Sequence, residues 1–229
     1  MNLTLTDKLI LLALDDDKGT FSDFAQGFEY ALAGAVLLEL NLNELMELKD
    51  QKVQVKPGAK TDDQVLMPYF ALLKAAKKDR KIDYWLDKLS FRFEDIIKGV
   101  TDRLISQGIL RKEEKTYLWV FTSKKYPTSN PRPENELRRN LIAMIENRQE
   151  PTVEDLMLIS LVDACELNIE VYGKEKTKVH QKRIKALVEQ SKNNALVNGT
   201  IKEVHDAIMA CIVLMITTTV LTTTVITGN

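Results

Sequence analysis

The uncharged run from 207 to 229 dominates the pattern of hydrophobic and polar positions along the chain. Thr200 and Glu203 precede it with the spacing of an N-terminal capping box. About twenty residues of helix would measure roughly 30 Å, but seven threonines and the lack of a basic residue at the far end disfavour a membrane span. We therefore predict a buried C-terminal helix at the centre of a helical fold. A membrane-embedded tail and a Thr-rich end that frays or turns to strand are the alternatives.

Segments with helical periodicity upstream predict the elements around that helix. A first helix is expected to open at Thr6 and Asp7, and a second to run from Phe21 to Leu42, with Glu39 as the only charge between Ala31 and Leu40. The remaining helices are expected over 62–78, 82–89, 93–107, 134–146, 152–166 and 174–191. Pro68 is expected to kink or restart the first of these, and Thr152 with Asp155 to cap the fifth, which ends at about 166. In the last of these, Val179, Ile184, Leu187 and Val188 should face inward.

Two polar turns between apolar segments predict short β-hairpins. The first turn is expected at 49–52 and the second at 112–115, before the strand TYLWVF; 169–173 suggests a short strand or turn, and 123–133 a surface loop. The predicted fold class is thus mainly α. A single globular domain, 1–229, would place amphipathic helices around apolar central ones, including the C-terminal helix, with two short β-hairpins.

The helix over 93–107 followed by a hairpin is also the element order of a winged-helix DNA-binding domain. On that rival hypothesis Arg92, Lys98 and Arg103 would contact phosphates, although Glu94, Asp95 and Asp102 offset their charge. The formal net charge of the chain is −1, which argues against a dedicated polyanion binder. We do not expect nucleic acid as a partner.

No catalytic motif is evident. The three aspartates 15–17 lack the alternating spacing of a calcium loop, and neither His180 nor His205 has a second ligand at metal spacing. Phosphate-loop and nucleophile-elbow motifs are missing. We therefore expect no enzymatic activity, cofactor or metal. The two cysteines, Cys165 and Cys211, lie in apolar helical contexts and are expected to be reduced core residues. The N-terminus has no signal-peptide pattern, so a cytoplasmic location is expected.

Several segments taken together give the chain a resemblance to the Golgi phosphoprotein 3 family, in a compact form without the long N-terminal tail of eukaryotic members. They are LTLTDKLILLALDDDKG at the start, ALAGAVLLELNL before the first hairpin, VTDRLISQGILRKEEKTYLWVF, DLMLISLVDAC and the ending EVHDAIMACIVLM. The resemblance implies one helical domain without catalytic activity. It also implies binding of phosphatidylinositol 4-phosphate at membranes and contact with the cytosolic tails of membrane proteins.

The family's headgroup pocket, carried over by position, falls partly on different residue types here. Phe24 stands where the family has a Trp, and Ala33 where it has an arginine. Two further basic positions match Asn140 and Ala143, with Arg138 and Arg139 displaced by a turn or less. The resemblance therefore gives Phe24, Arg138 and Arg139 as the expected lipid-binding residues. The family's apolar insertion loop corresponds to IEVYGKEKTKVHQKR, which is polar and basic, so no such loop is expected.

Three hypotheses follow. The first is a non-enzymatic peripheral membrane protein that binds anionic or phosphoinositide lipid through a basic surface, for example that of the helix from Lys174 to Lys192. The second is the winged-helix-like nucleic-acid-binding or regulatory protein. The third is a protein-only scaffold that has lost the lipid site.

Overall fold

A computed structural model of the chain describes residues 3–15, 19–21, 27–117, 121–193 and 199–210. Within these ranges there are eleven helices and five strands, which confirms the mainly α prediction. The helices are α1 Leu5–Ala13, α2 Phe28–Leu42, α3 Met67–Lys74, α4 Ile82–Ser90, α5 Phe93–Ser106, α6 Arg132–Ile145, α7 Val153–Ala164, α8 Asn168–Tyr172, α9 Lys174–Val179, α10 Gln181–Lys192 and α11 over 200–210. The strands are β1 Met46–Lys49, β2 Lys52–Val55, β3 Arg80–Lys81, β4 Glu113–Tyr117 and β5 Phe121–Lys125.

Three apolar helices, α1, α2 and α7, pack against one another at the centre of the fold. Each is buried on nearly every side, as expected for helices without a polar face. On the outside of these three, α4 packs on α2 and α10 packs on α7. The buried side chains form one contiguous core to which the helices from α1 to α11 contribute, apart from α9.

The start of the predicted central C-terminal helix also reaches this core. A Cβ atom at Gly34 of α2 would lie 2.8 Å from Cγ1 of Val204 and 2.9 Å from Cδ1 of Ile208. The missing side chain of Gly34 therefore lets α11 lie directly on α2. The remainder of the predicted helix, 211–229, lies outside the described residues.

Helix starts show which predicted caps form. The Thr152–Asp155 capping box at the start of α7 is confirmed. At α1 the cap is Thr4 rather than Thr6, because Asp7 forms its reciprocal bonds with Thr4. The predicted Thr200–Glu203 box is wrong. Glu203 N–H donates to the carbonyl of Gly199, so Thr200 is already helical and its hydroxyl has no partner among the described residues.

Two helices begin later than predicted. Phe21 forms an isolated antiparallel bridge with Leu14, and α2 starts at Phe28, directly after Gly27 at a φ of 93°. The helix expected over 62–78 begins at Met67, with Pro68 in its first turn, where the missing N–H of proline costs nothing. The segment 169–173, expected as a strand or turn, instead belongs mostly to α8.

Both hairpins exist, and the first has the predicted turn. β1 pairs with β2 across Asp50 and Gln51, whose φ values of 51° and 61° match a type I′ turn. β3 adds a third strand on the other edge of β2. In the second hairpin the predicted turn position is wrong. Residues 113–115 lie within β4, where the backbone of Glu113 is in register with that of Lys125 and the backbone of Lys115 with that of Ser123.

Candidate lipid-binding surface

The positions that the family resemblance points to lie mainly on α2 and α6. Phe24 falls outside the described residues. Ala33, which stands at the family's arginine position, is fully buried in α2. A basic side chain is therefore missing at this position, and the methyl group there belongs to the core.

Arg138 on α6 is bound to the protein itself. Its Nε donates to Oε1 of the buried Glu134 at 2.7 Å, and its Nη1 donates to the carbonyl oxygen of Glu170 at 2.8 Å. Its Nη2 lies 3.4 Å from the carbonyl oxygen of Leu12. The guanidinium thus joins α6 to α8 and to the end of α1, and a headgroup would have to compete for donors that are already used.

The neighbouring Arg139 is placed differently. It is exposed, and its one hydrogen bond in the described structure runs from Nε to the carbonyl oxygen of Asn135 at 3.3 Å. Asn140 is exposed as well, and Ala143 is half-buried. Of the two arginines, Arg139 is therefore the one whose guanidinium is available to an external anion.

The basic segment that was expected to be one helix is two helices with a break at His180. Ile184, Leu187 and Val188 of α10 are buried as predicted. The prediction that Val179 faces inward is wrong, because this side chain is 68% exposed at the end of α9. Ile169 on the adjoining α8 is 53% exposed. The break at His180 explains this error, because it turns α9 out of the helical register of α10.

The helices α9 and α10, which follow Ile169 along the chain, carry four exposed lysines. Within the described structure Lys174, Lys178, Lys182 and Lys185 form no ion pair and are exposed. We call these four lysines, together with Ile169 and Val179, the α8–α10 surface. Sequence reasoning found its charge but not its apolar side chains. The unbroken 174–191 periodicity counted Val179 as core, and Ile169 was counted as strand or turn.

One carboxylate next to this surface is strongly stabilised as an anion. Glu146, at the end of α6, accepts hydrogen bonds from Lys176 and from Arg148. Lys176, with the largest effect, and Arg148 together lower the pKa of Glu146 to about 2. This cluster fastens α9 to the end of α6, so Lys176 serves the fold rather than the surface.

The cations that the winged-helix hypothesis needs are all paired. Arg103 donates to Asp7 at 2.9 Å and to Asp63 at 3.0 Å, and Lys98 lies 2.9 Å from Asp102. Arg92 lies 3.9 Å from a carboxylate oxygen of Asp95. This pairing does not support phosphate contacts along α5.

Neither a metal-binding cluster nor a membrane-spanning helix is present in the described ranges. There, no group of three or more His, Cys, Asp or Glu side chains is placed to hold a metal ion. Burial raises the pKa of Cys165 to about 12, so its thiol is protonated at neutral pH. No helix in the part of the chain that the structure describes combines the length and apolar composition needed to cross a membrane.

Comparison with known proteins places this arrangement in a family. The family model described as Golgi phosphoprotein 3 (GPP34) matches residues 5–209. The vacuolar protein sorting-associated proteins 74 of Eremothecium gossypii and Schizosaccharomyces pombe are 22% and 20% identical to the chain over 167 residues. Each match covers 64% of this chain and, respectively, 50% and 49% of the relative, so the chain spans about half the length of these relatives. Since the family model covers nearly the whole chain, including all the described helices, this protein belongs to the Golgi phosphoprotein 3 family.

Proposed function

We propose that this protein is a non-enzymatic peripheral membrane protein that binds anionic or phosphoinositide lipid through the α8–α10 surface. The observation that carries the proposal is the exposure of Val179 and Ile169 among lysines that have no ion pair in the described structure. Membership of the Golgi phosphoprotein 3 family supports it.

The physical basis is a sum of two weak terms. Each well-placed cation near an anionic membrane surface contributes about 1 kcal/mol, and salt screens that attraction. An exposed Val or Ile that enters the acyl boundary adds up to about 1.5–3 kcal/mol if it is fully buried there. Four lysines and two apolar side chains therefore suffice for reversible binding that depends on lipid charge.

Selectivity for one headgroup would come from α6. Phe24, Arg138 and Arg139 remain predictions as headgroup contacts, and among these Arg139 is the best placed because Arg138 is bound to Glu134. With Ala33 buried where the family has an arginine, we propose that lipid charge contributes more to binding here than headgroup identity. The cytosolic tails of membrane proteins remain a second predicted class of partner.

Liposome co-sedimentation tests the proposal. The pure protein is mixed with phosphatidylcholine vesicles, with vesicles that also contain phosphatidylserine, and with vesicles that also contain phosphatidylinositol 4-phosphate, at low and physiological salt. A Lys178→Glu/Lys182→Glu variant should lose binding to anionic vesicles, and Val179→Ser should weaken it. The matched control is Lys49→Glu/Lys60→Glu, which makes the same charge change on exposed lysines of other segments.

The outcomes separate the hypotheses. Binding to phosphoinositide vesicles that persists at physiological salt and falls in Arg139→Ala would add a specific headgroup contact. Binding to both anionic vesicles that salt abolishes would indicate a charged surface only. If the control variant loses as much binding as Lys178→Glu/Lys182→Glu, the α8–α10 surface is not the site. A protein that binds none of the vesicles would be a protein-only scaffold.

A further inference from the structure

A second basic region lies on different elements from the α8–α10 surface. A cleft of about 370 Å³ opens between the end of α3 and α4. Its polar and aromatic walls are Lys77, Lys78, Arg80, Tyr84, Trp85 and Lys88, and Leu72 of α3 with the two alanines that follow the helix completes it. We call it the Trp85 cleft.

No ion pair in the described structure balances the charge of the cleft. Among the described residues no acidic side chain lines it, and none of its four cations forms an ion pair. Asp79 and Asp87 line neighbouring cavities that share Lys78 and Lys88 with the cleft, and Asp79 accepts a hydrogen bond from Gln54. Four cations gathered without an ion-pair partner repel one another, so the cleft favours an anion.

The aromatic side chains hold two of these cations in place. The guanidinium carbon of Arg80 lies 4.7 Å from the centroid of the Tyr84 ring. Nζ of Lys88 lies 5.7 Å from the same centroid and 5.9 Å from that of Trp85. Cation–π contact restricts where these long side chains can go, so part of the ordering cost of binding is met before a ligand arrives.

Trp85 supplies an independent sign of a missing acceptor. Its side chain is 2% exposed, and its Nε1–H has no hydrogen-bond partner within the described structure. Indole Nε1 can only donate a hydrogen bond. A buried N–H without an acceptor is uncommon, because a hydrogen bond that is lost to water and not replaced costs free energy. An acceptor brought by a ligand would satisfy it.

We propose that the Trp85 cleft binds a phosphoryl group, carried by a small phosphorylated ligand or by a lipid headgroup. A phosphoryl group combines up to two negative charges with three strong acceptor oxygens, which matches four cations and one indole N–H better than a carboxylate with a single charge and two oxygens. The volume of about 370 Å³ holds such a group together with the first atoms of whatever carries it.

Fluorescence of Trp85 gives a direct readout. The chain has two tryptophans, and a Trp119→Phe variant leaves Trp85 as the only one. Titration with inorganic phosphate at constant ionic strength, with chloride as the reference, should give a saturable change in Trp85 emission. Calorimetry of the unaltered protein with phosphate provides the affinity without any tryptophan substitution.

Two variants locate the binding in the cleft. Trp85→Phe keeps a ring but removes the N–H donor, and should weaken phosphate binding about tenfold. Lys77→Gln/Lys88→Gln changes two exposed side chains, does not threaten folding and should weaken it about tenfold or more. The matched control is Lys49→Gln/Lys202→Gln, which changes two exposed lysines outside both surfaces and should leave phosphate binding unchanged.

The titrations distinguish the source of the phosphoryl group and can overturn the inference. Saturable binding of inorganic phosphate that the cleft variants weaken supports a small soluble ligand. A Trp85 emission change with phosphatidylinositol 4-phosphate vesicles alone, lost in Lys77→Gln/Lys88→Gln and kept in Lys49→Gln/Lys202→Gln, supports a lipid headgroup. If neither probe binds, or if binding survives in both cleft variants, the inference is wrong. Vesicle binding through the α8–α10 surface would be unaffected by that result.

Discussion

Cations of this protein occur in two contrasting regions, beside α1 and in the Trp85 cleft. Beside α1, Arg103 donates to Asp7, Asp63, Thr4 and Thr6, and Arg138 donates to Glu134 and two backbone carbonyl oxygens. In the Trp85 cleft, Lys77, Lys78, Arg80 and Lys88 form no ion pair within the described structure, and Arg80 and Lys88 lie over aromatic rings instead.

The difference teaches that the position of a cation in the sequence does not reveal whether it is free to bind a ligand. Arg103 and Arg138 are among the residues that motif and family arguments select as ligand contacts. Both prove to satisfy acceptors of the protein. The cluster over 74–81 has an equally simple local explanation, since cations suit the C-terminal end of α3. Its cations nevertheless form no ion pair within the described structure.

The largest change in the free energy of unfolding is expected when the paired cation Arg103 is removed. Arg103→Ala would leave Asp7, whose side chain is fully buried, without its cation, at a cost of about 3–5 kcal/mol. Burial already raises the pKa of Asp7, and the charge of Arg103 opposes that shift. Urea unfolding measures the loss. Arg103→Lys, which keeps the charge but not the planar fork, should lose less, and a loss below 1 kcal/mol in the alanine variant would contradict the role of this network.

A smaller loss is expected at Arg138. Its hydrogen bonds to Glu134 and to the carbonyl oxygen of Glu170 should make Arg138→Ala less stable by about 1.5–3 kcal/mol. The adjacent Arg139→Ala is the matched control and should lie within about 0.5 kcal/mol of the unaltered protein. Equal stability of the two variants in urea would show that Arg138 does not join α6 to α8 and α1. Only Arg139→Ala is therefore a clean probe of lipid binding.

The surface cluster of Glu146 with Lys176 and Arg148 should give a pH-dependent effect. Since the pKa of Glu146 is lowered from 4.5 to about 2, its stabilising contribution is fully present above pH 4.5 and is lost as pH falls towards 2. Glu146→Gln should thus have a lower Tm than the unaltered protein above pH 4.5, with a difference that shrinks on acidification. A difference that stays constant down to pH 2 would mean that the carboxylate charge is not what fastens α9.

The smallest effect, of opposite sign, is expected in the Trp85 cleft. Lys77→Gln or Lys88→Gln removes one of several mutually repelling cations, so stability should rise or stay within about 0.5 kcal/mol at low salt. The change should disappear at high salt, where surface charges are screened. Thermal unfolding at two salt concentrations measures it. A clear loss of stability at low salt would show that these lysines are paired, as the arginines beside α1 are.

Much of the fold could be predicted because local signals and packing agree. The Thr152–Asp155 cap and the polar turn at 49–52 are local signals, and both form as predicted. Prediction failed where a single backbone conformation changed the register. Gly27 at positive φ set the start of α2, and the break at His180 exposed Val179.

The candidate sites were less predictable, because each depends on which acceptors reach a cation. The sequence alone determined the apolar helices, the hairpins, the abundance of lysine over 74–81 and 174–185, and the order of segments that marks the family. Only the tertiary structure decided that Arg138 meets the end of α1, that Arg103 meets Asp7, and that the indole of Trp85 meets no acceptor in the described structure. Helical periodicity is set by neighbours within a turn or two, whereas these contacts join residues many tens of positions apart.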